Sequence, residues 1–253
     1  MTSNVTFLQE MDALNREVRE MAERANEAIE KAVKLLATGD DVLKHDVSRL
    51  DKELYHYDNL VEKHCLDLIA LYSPVAGDLR IVSTCLKIIE DLNRIGRYAH
   101  DIAEVSEVFE VQGHFTRMVN IQHMADLVVD MVHDSIESFT KRDTVMARQL
   151  FERDDEVDCL YDTIFREILT YMMEDSRKIT AGINYVLVAR YLERIADHSC
   201  NIGERVVYMV AGERMDPAER KKELCNDLVQ PKNDLDNEDN GEQGTNWHEL
   251  SEK

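Results

Sequence analysis

The chain has 253 residues, with 51 Asp and Glu against 30 Lys and Arg, for a formal net charge of −21. That charge repels nucleic acid and anionic lipid headgroups, which excludes both as direct partners and leaves solubility, cation binding or a basic protein partner to explain it. Only 3 Pro and 9 Gly interrupt the chain, and no alternating strand pattern occurs in the first 210 residues, so the composition predicts an all-α protein.

Apolar residues recurring every three to four positions mark six helices. The first spans about Val5 to Leu36 and places Met11, Leu14, Val18, Met21, Ala25, Ala28, Ala32 and Leu35 on one face. Gly39 is placed to close it, and Asp40 or Asp41 to accept the free amides that open the second helix. That helix carries Val47, Leu50, Leu54, Val61, Cys65, Leu68 and Ile69. Ser73 and Pro74 read as a cap and first-turn proline for a third helix over about 74–109. Gly113 marks a break. Helices over about 115–140, 143–174 and 179–211 follow, the last closed by Gly212 and Pro217. Residues from 217 onward are polar and acidic, with an isolated Trp247, and read as a disordered tail.

The five cysteines (Cys65, Cys85, Cys159, Cys200, Cys225) are scattered and odd in number. Their spacing argues against a disulfide framework or a structural zinc site and for a reducing compartment. The start of the chain has no basic segment followed by an apolar core, and no run of 18 apolar residues occurs, so a cytoplasmic protein without membrane insertion is expected.

The second half of the helical region repeats the first. Leu92, Arg94, Ile95, Ile102 and Glu104 recur as Leu192, Arg194, Ile195, Ile202 and Glu204, and Met21 to Asp51 aligns with Met124 to Asp154. Such an internal repeat sets the architecture: two pseudo-symmetric antiparallel three-helix bundles, over 5–112 and 115–212, with a tail over 217–253.

The two copies differ at acidic positions. Asp154 and Asp158 lie four apart on the fifth helix, and Glu193 and Asp197 four apart on the sixth. Residues at that spacing share a helix face, so the two pairs meet if the faces meet. Four carboxylates in one groove repel unless they take up protons or cations. An all-oxygen set of this kind suits Mg²⁺, Mn²⁺, Ca²⁺ or oxo-bridged iron. Arg194 is placed to pair with these acids, and Asn201 to add an oxygen. Roughly ten acidic pairs at this spacing are expected by chance at this acid content, so it is the repeat that singles these out. The equivalent positions in the first copy are Asp51, Tyr55, Asn93 and Arg97, which predicts a degraded site with Arg97 neutralising Asp51. Asp58, Glu62, Glu90, Asp91 and Asp101 are the remaining acids from which a different first-copy site could be built. His198 lies off the Glu193 face, so the Glu-x-x-His signature of di-iron bundles is absent. His64, His100, His123 and His133 read as isolated surface or capping residues. No phosphate loop, dinucleotide loop or serine-nucleophile motif occurs.

The chain resembles the PhoU family of phosphate-uptake regulators. The resemblance rests on residues 192–204 (Leu192-Glu-Arg-Ile-Ala-Asp-His-Ser-Cys-Asn-Ile-Gly-Glu204), on Asp154-Asp-Glu-Val-Asp158, and on Pro74-Val-Ala-Gly-Asp-Leu-Arg80 followed by Leu86-Lys-Ile88. It implies tandem three-helix bundles and a non-enzymatic regulator that docks onto the ATPase subunit of a phosphate transporter or onto a sensor histidine kinase. It implies multivalent metal, as iron, zinc, manganese or magnesium, at Asp154, Asp158, Glu193 and Asp197, and leaves a homodimer open. An accessory protein of a different phosphate permease is the alternative within this class. A carboxylate-bridged metal enzyme is the alternative from another class, weakened by the missing histidine ligands and the lack of an evident base or nucleophile.

Overall fold

The computed structural model describes residues 2–112, 119–212 and 214–215. Among them are six α-helices and one 3₁₀ turn: α1 (Thr2–Thr38), α2 (Asp41–Tyr72), α3 (Ala76–Gln112), α4 (Val119–Lys141), α5 (Thr144–Glu174) and α6 (Ile179–Ala211), with the 3₁₀ turn at Ser176–Lys178 before α6. The break expected at Gly113 and the tail over 217–253 lie outside the described residues. No described helix is long and apolar enough to cross a membrane.

The apolar stripe of the first helix is buried along its whole length, from Met11 at 7% exposure to Leu35 at 1%. In α2 the buried set is Val47, Leu50, Leu54, Val61, Cys65 and Leu68. Each fully buried aliphatic side chain contributes about 1.5–3 kcal/mol, so these stripes, not helix propensity, hold elements of this length.

The helix ends follow the turn chemistry in most places. Gly39 takes a left-handed φ of 63°, and its N–H donates to the Leu35 carbonyl at 2.8 Å. Asp40 is the N-cap of α2, accepting the Val42 N–H. Gly212 closes α6 at φ 77°, its N–H donating to the Tyr208 carbonyl. The Ser73–Pro74 expectation is corrected. Ser73 is the left-handed C-cap of α2, donating its N–H to the Ile69 carbonyl, and α3 begins only at Ala76. Proline has no N–H to extend α2, so the pair ends one helix instead of opening the next.

Helices α1, α2 and α3 pack on one another, as do α4, α5 and α6, and the two trios meet along α3–α6 and α1–α4. The positions that recur in sequence are the centre of this packing: Leu92, Ile95, Ile102, Leu192, Ile195 and Ile202 all have 0% exposure. At the α3–α6 seam His198 Nδ1 lies 2.8 Å from Asp91 Oδ1, and Tyr98 packs on both Tyr191 and His198, with ring centroids 5.9 and 5.8 Å apart. The thiols of Cys65, Cys85 and Cys200 are buried and outside any disulfide.

Candidate metal centre

The α5–α6 contact brings the four second-copy acids within electrostatic reach of one another. Asp154 is pushed up to about 7, first by burial and then by the negative charges of Asp158, Asp197, Asp155 and Glu193. Glu193 is also raised, by burial and then by Asp197, while Arg190 and Arg194 oppose the shift and Asp158 adds to it. Carboxylates that resist ionisation in company are short of positive charge.

Two arginines supply part of that charge. Arg190 Nη1 donates to Glu193 Oε1 and its guanidinium sits 5.7 Å from the Tyr161 ring centroid. Arg194 Nη1 lies 3.1 Å from Asp197 Oδ2 and its Nε 3.9 Å from Glu193 Oε2. The expected role of Arg194 is therefore seen, whereas Arg190 and Asp155 were missed; Arg190 lies a turn before the repeated acids, outside the pattern that drew attention to them. Asn201 is half-buried one turn beyond Asp197.

Glu193 Oε2 is buried without a hydrogen-bond partner. A buried carboxylate oxygen without a hydrogen bond, its one cationic neighbour Arg194 Nε at 3.9 Å, beside an acid with a raised pKa, is a donor set that a cation would satisfy. The donor set is all oxygen, the chemistry a multivalent ion takes, while no three of its ligand atoms lie within 4.8 Å of one another as the side chains stand in this structure.

The first copy is built differently at the same place. Arg97 Nη1 lies 3.4 Å from Asp51 Oδ2, as its sequence position suggested, and Asn93 Nδ2 donates to Asp58 Oδ2 at 3.3 Å. These residues line an open groove of about 860 Å³, together with Glu62, Lys87, Glu90 and Arg94. Acids and bases alternate there, and Asp58 is raised by burial and by Glu62 and Glu90, against the Asn93 hydrogen bond.

Further along α3, His100, Asp101 and Glu104 offer three ligand atoms within 4.8 Å of one another. They come from one helix with Glu104 exposed, an arrangement common without an ion. His64, read from sequence as isolated, is half-buried and lies between two acids of α1, with Nδ1 2.8 Å from Glu17 and Nε2 3.2 Å from Glu10. Sequence spacing could not find this contact because the partners are 47 and 54 positions away.

The chain matches the PhoU domain twice, over residues 18–106 and 121–206. It is 38% identical over 207 residues to a phosphate-specific transport system accessory protein PhoU homolog of Aquifex aeolicus, covering 82% of this chain and 94% of that protein. A protein of the same description from Deinococcus radiodurans is 35% identical over 210 residues, covering 80% and 99%. Among solved structures, PhoU from Pseudomonas aeruginosa superposes with a TM-score of 0.78 at 31% identity, covering 82% of this chain and 100% of that one. The phosphate transport system regulatory protein PhoU from Streptococcus pneumoniae gives 0.75 at 27% identity, covering 83% and 99%.

Proposed function

The chain belongs to the PhoU family, and from that premise we propose that it is an accessory regulator of phosphate-specific transport. It acts by binding, not by catalysis. It docks in the cytoplasm onto the transporter's ATPase subunit or onto a phosphate-responsive sensor kinase, and restrains uptake when phosphate is plentiful. The observation that carries this reading is the double match of the tandem unit over most of both repeats, joined to relatives at 35–38% identity whose lengths this chain nearly spans.

In the second repeat Asp154, Asp158, Glu193 and Asp197 would hold a multivalent ion. The all-oxygen set favours magnesium, manganese or iron over zinc. Such an ion would draw α5 and α6 together and set the charge of the groove between them. The Glu193 oxygen that is buried without a hydrogen bond and the raised Asp154 support this.

The test is phosphate uptake in the host with the gene deleted and then restored. Uptake in high phosphate rises on deletion and falls again with the wild-type gene if the reading is right. Unchanged uptake and unchanged phosphate-responsive expression in the deletion strain would contradict it.

A further inference from the structure

We propose that the open end of the α5–α6 groove is the docking site for one amphipathic helix of a partner protein. The helix carries apolar residues at i, i+4 and i+8, followed by Lys or Arg. This rests on the reading that the chain works by docking, and it assigns the face and the chemistry of what binds there.

Toward the end of the second bundle away from the four acids, Phe165, Leu169 and Met173 follow one another at i, i+4 and i+8 on α5, and Ile179, Ile183 and Leu187 do the same on α6. All six are exposed, Met173 to 81% and Ile183 to 51%. The two stripes lie on antiparallel neighbours whose register is set where Gly182 meets Met172 and Ile168. They therefore run as an apolar ladder along the groove that leads to Glu193 and Asp197. The repeat shows that this is not a by-product of the fold. The equivalent positions of the first copy are Glu62, Leu66, Ala70, Leu79, Ser83 and Lys87, where Glu62, Ser83 and Lys87 break the apolar run that is continuous in the second copy.

Size and charge select the occupant. The exposed apolar area of the six side chains is roughly 500–600 Å², at the upper end of what a monomer leaves uncovered. A standard interface needs about 800 Å² per partner, so a second copy seated on this ladder alone would be held weakly. One helix laid into a groove needs no more than this area. The groove continues into the acids of α5 and α6, an end that asks for positive charge. Ile183 and Glu193 are separated by ten positions, or about 15 Å of helix, and Asp197 lies about 6 Å further on. A partner helix lying alongside therefore places its basic residues ten to fourteen positions from the middle of its apolar stripe. An ion bound by the acids would weaken the attraction, so docking and metal occupancy oppose each other.

The probe is a labelled synthetic helix with Leu at three successive i, i+4 positions and Lys ten to fourteen positions from their centre, titrated onto the full chain in chelator-treated buffer. A second peptide carries Glu in place of Lys. The Lys peptide is expected to bind at least tenfold more tightly than the Glu peptide. Binding should fall at least tenfold in the Met173→Glu/Ile183→Glu variant and stay unchanged in Leu71→Glu, an exposed site on the first repeat. Equal binding of the two peptides, or binding that survives Met173→Glu/Ile183→Glu, overturns the proposal. So does a doubling of solution mass that this variant abolishes, which would give the face to a second copy. Phosphate uptake in cells carrying the same variant separates the two readings. If deletion of the gene leaves uptake unchanged, the transport role fails while the peptide titration still decides the face. If deletion releases uptake but the variant still restrains it, the face fails and the role stands.

Discussion

Asp91 and His198 hold the two repeats together across α3 and α6, and the repeat generates the same crossing a second time with different chemistry. Asp91 corresponds to Tyr191 and His198 to Tyr98. One crossing is thus a carboxylate–imidazole contact of 2.8 Å and the other an aromatic stack at 5.9 Å. Asp91→Ala leaves a half-buried imidazole without its partner and is expected to cost about 1–3 kcal/mol. Asp91→Tyr with His198→Tyr rebuilds the pairing that the fold already uses and is expected to recover most of that loss. Urea unfolding of the single and double variants measures both; equal loss in the two would show that the crossings are not interchangeable.

At Gly203 the helix α6 comes up against the backbone of α5. A Cβ there would lie 2.9 Å from the Ala147 carbonyl oxygen and 2.8 Å from Leu150 Cδ1. Overpacking against backbone costs about 1–3 kcal/mol, more than the ~1 kcal/mol of helix propensity that alanine adds. Gly203→Ala is therefore expected to lower stability by about 1–2 kcal/mol. Gly77 has open space within 4 Å, and Gly77→Ala is expected to raise stability by about 0.5–1 kcal/mol. Thermal melts of the two variants should move in opposite directions.

Arg142 sits in a left-handed conformation at φ 55° between α4 and α5. Its N–H donates to the Phe139 carbonyl and the next N–H, of Asp143, to that of Ser138, the pattern of a helix end that glycine ordinarily supplies. An L side chain there costs about 1 kcal/mol, so Arg142→Gly should stabilise by about that amount, read as a higher urea midpoint. Asp143 caps α5 through the Val145 and Met146 amides, and Asp143→Ala should lose about 1 kcal/mol.

These elements show how far the sequence reaches. The buried stripes, Gly39 and Gly212 were legible because periodicity and left-handed caps are local properties. The acidic quartet could be singled out because a repeat compares like positions, so that Asn93 and Arg97 stand out against Glu193 and Asp197. Ser73–Pro74 misled because the same two residues can end a helix or begin one, and only the chain that follows decides. Arg190, His64 and the Asp91–His198 contact were out of reach, since amphipathic spacing says that a face is buried without saying which helix meets it. The solvent-facing ladder from Phe165 to Leu187 was hidden for the converse reason: an apolar stripe looks the same in sequence whether a neighbour covers it or not.

Asp154 gives the metal-free protein a pH dependence with a definite sign. Its pKa rises from an ordinary 3.8 to about 7 in the fold, so the folded state holds more protons than the unfolded chain between those values. Stability therefore falls as pH rises through that window and levels off above it, by an amount on the order of 2–4 kcal/mol. In chelator-treated buffer the wild type should melt lower at pH 8 than at pH 5, and Asp154→Asn should remove much of the difference. Added Mn²⁺ should raise the melting temperature at pH 8 and do little at pH 5, where protons already occupy the site.

The most direct measurement is elemental analysis of the purified chain after dialysis into metal-free buffer, beside Glu193→Ala/Asp197→Ala and Asp51→Ala. One or more multivalent ions retained per chain in the wild type and in Asp51→Ala, and lost from the double variant, is the expected result and places the metal in the second repeat alone. No retained ion in the wild type, or retention that survives Glu193→Ala/Asp197→Ala, would contradict it.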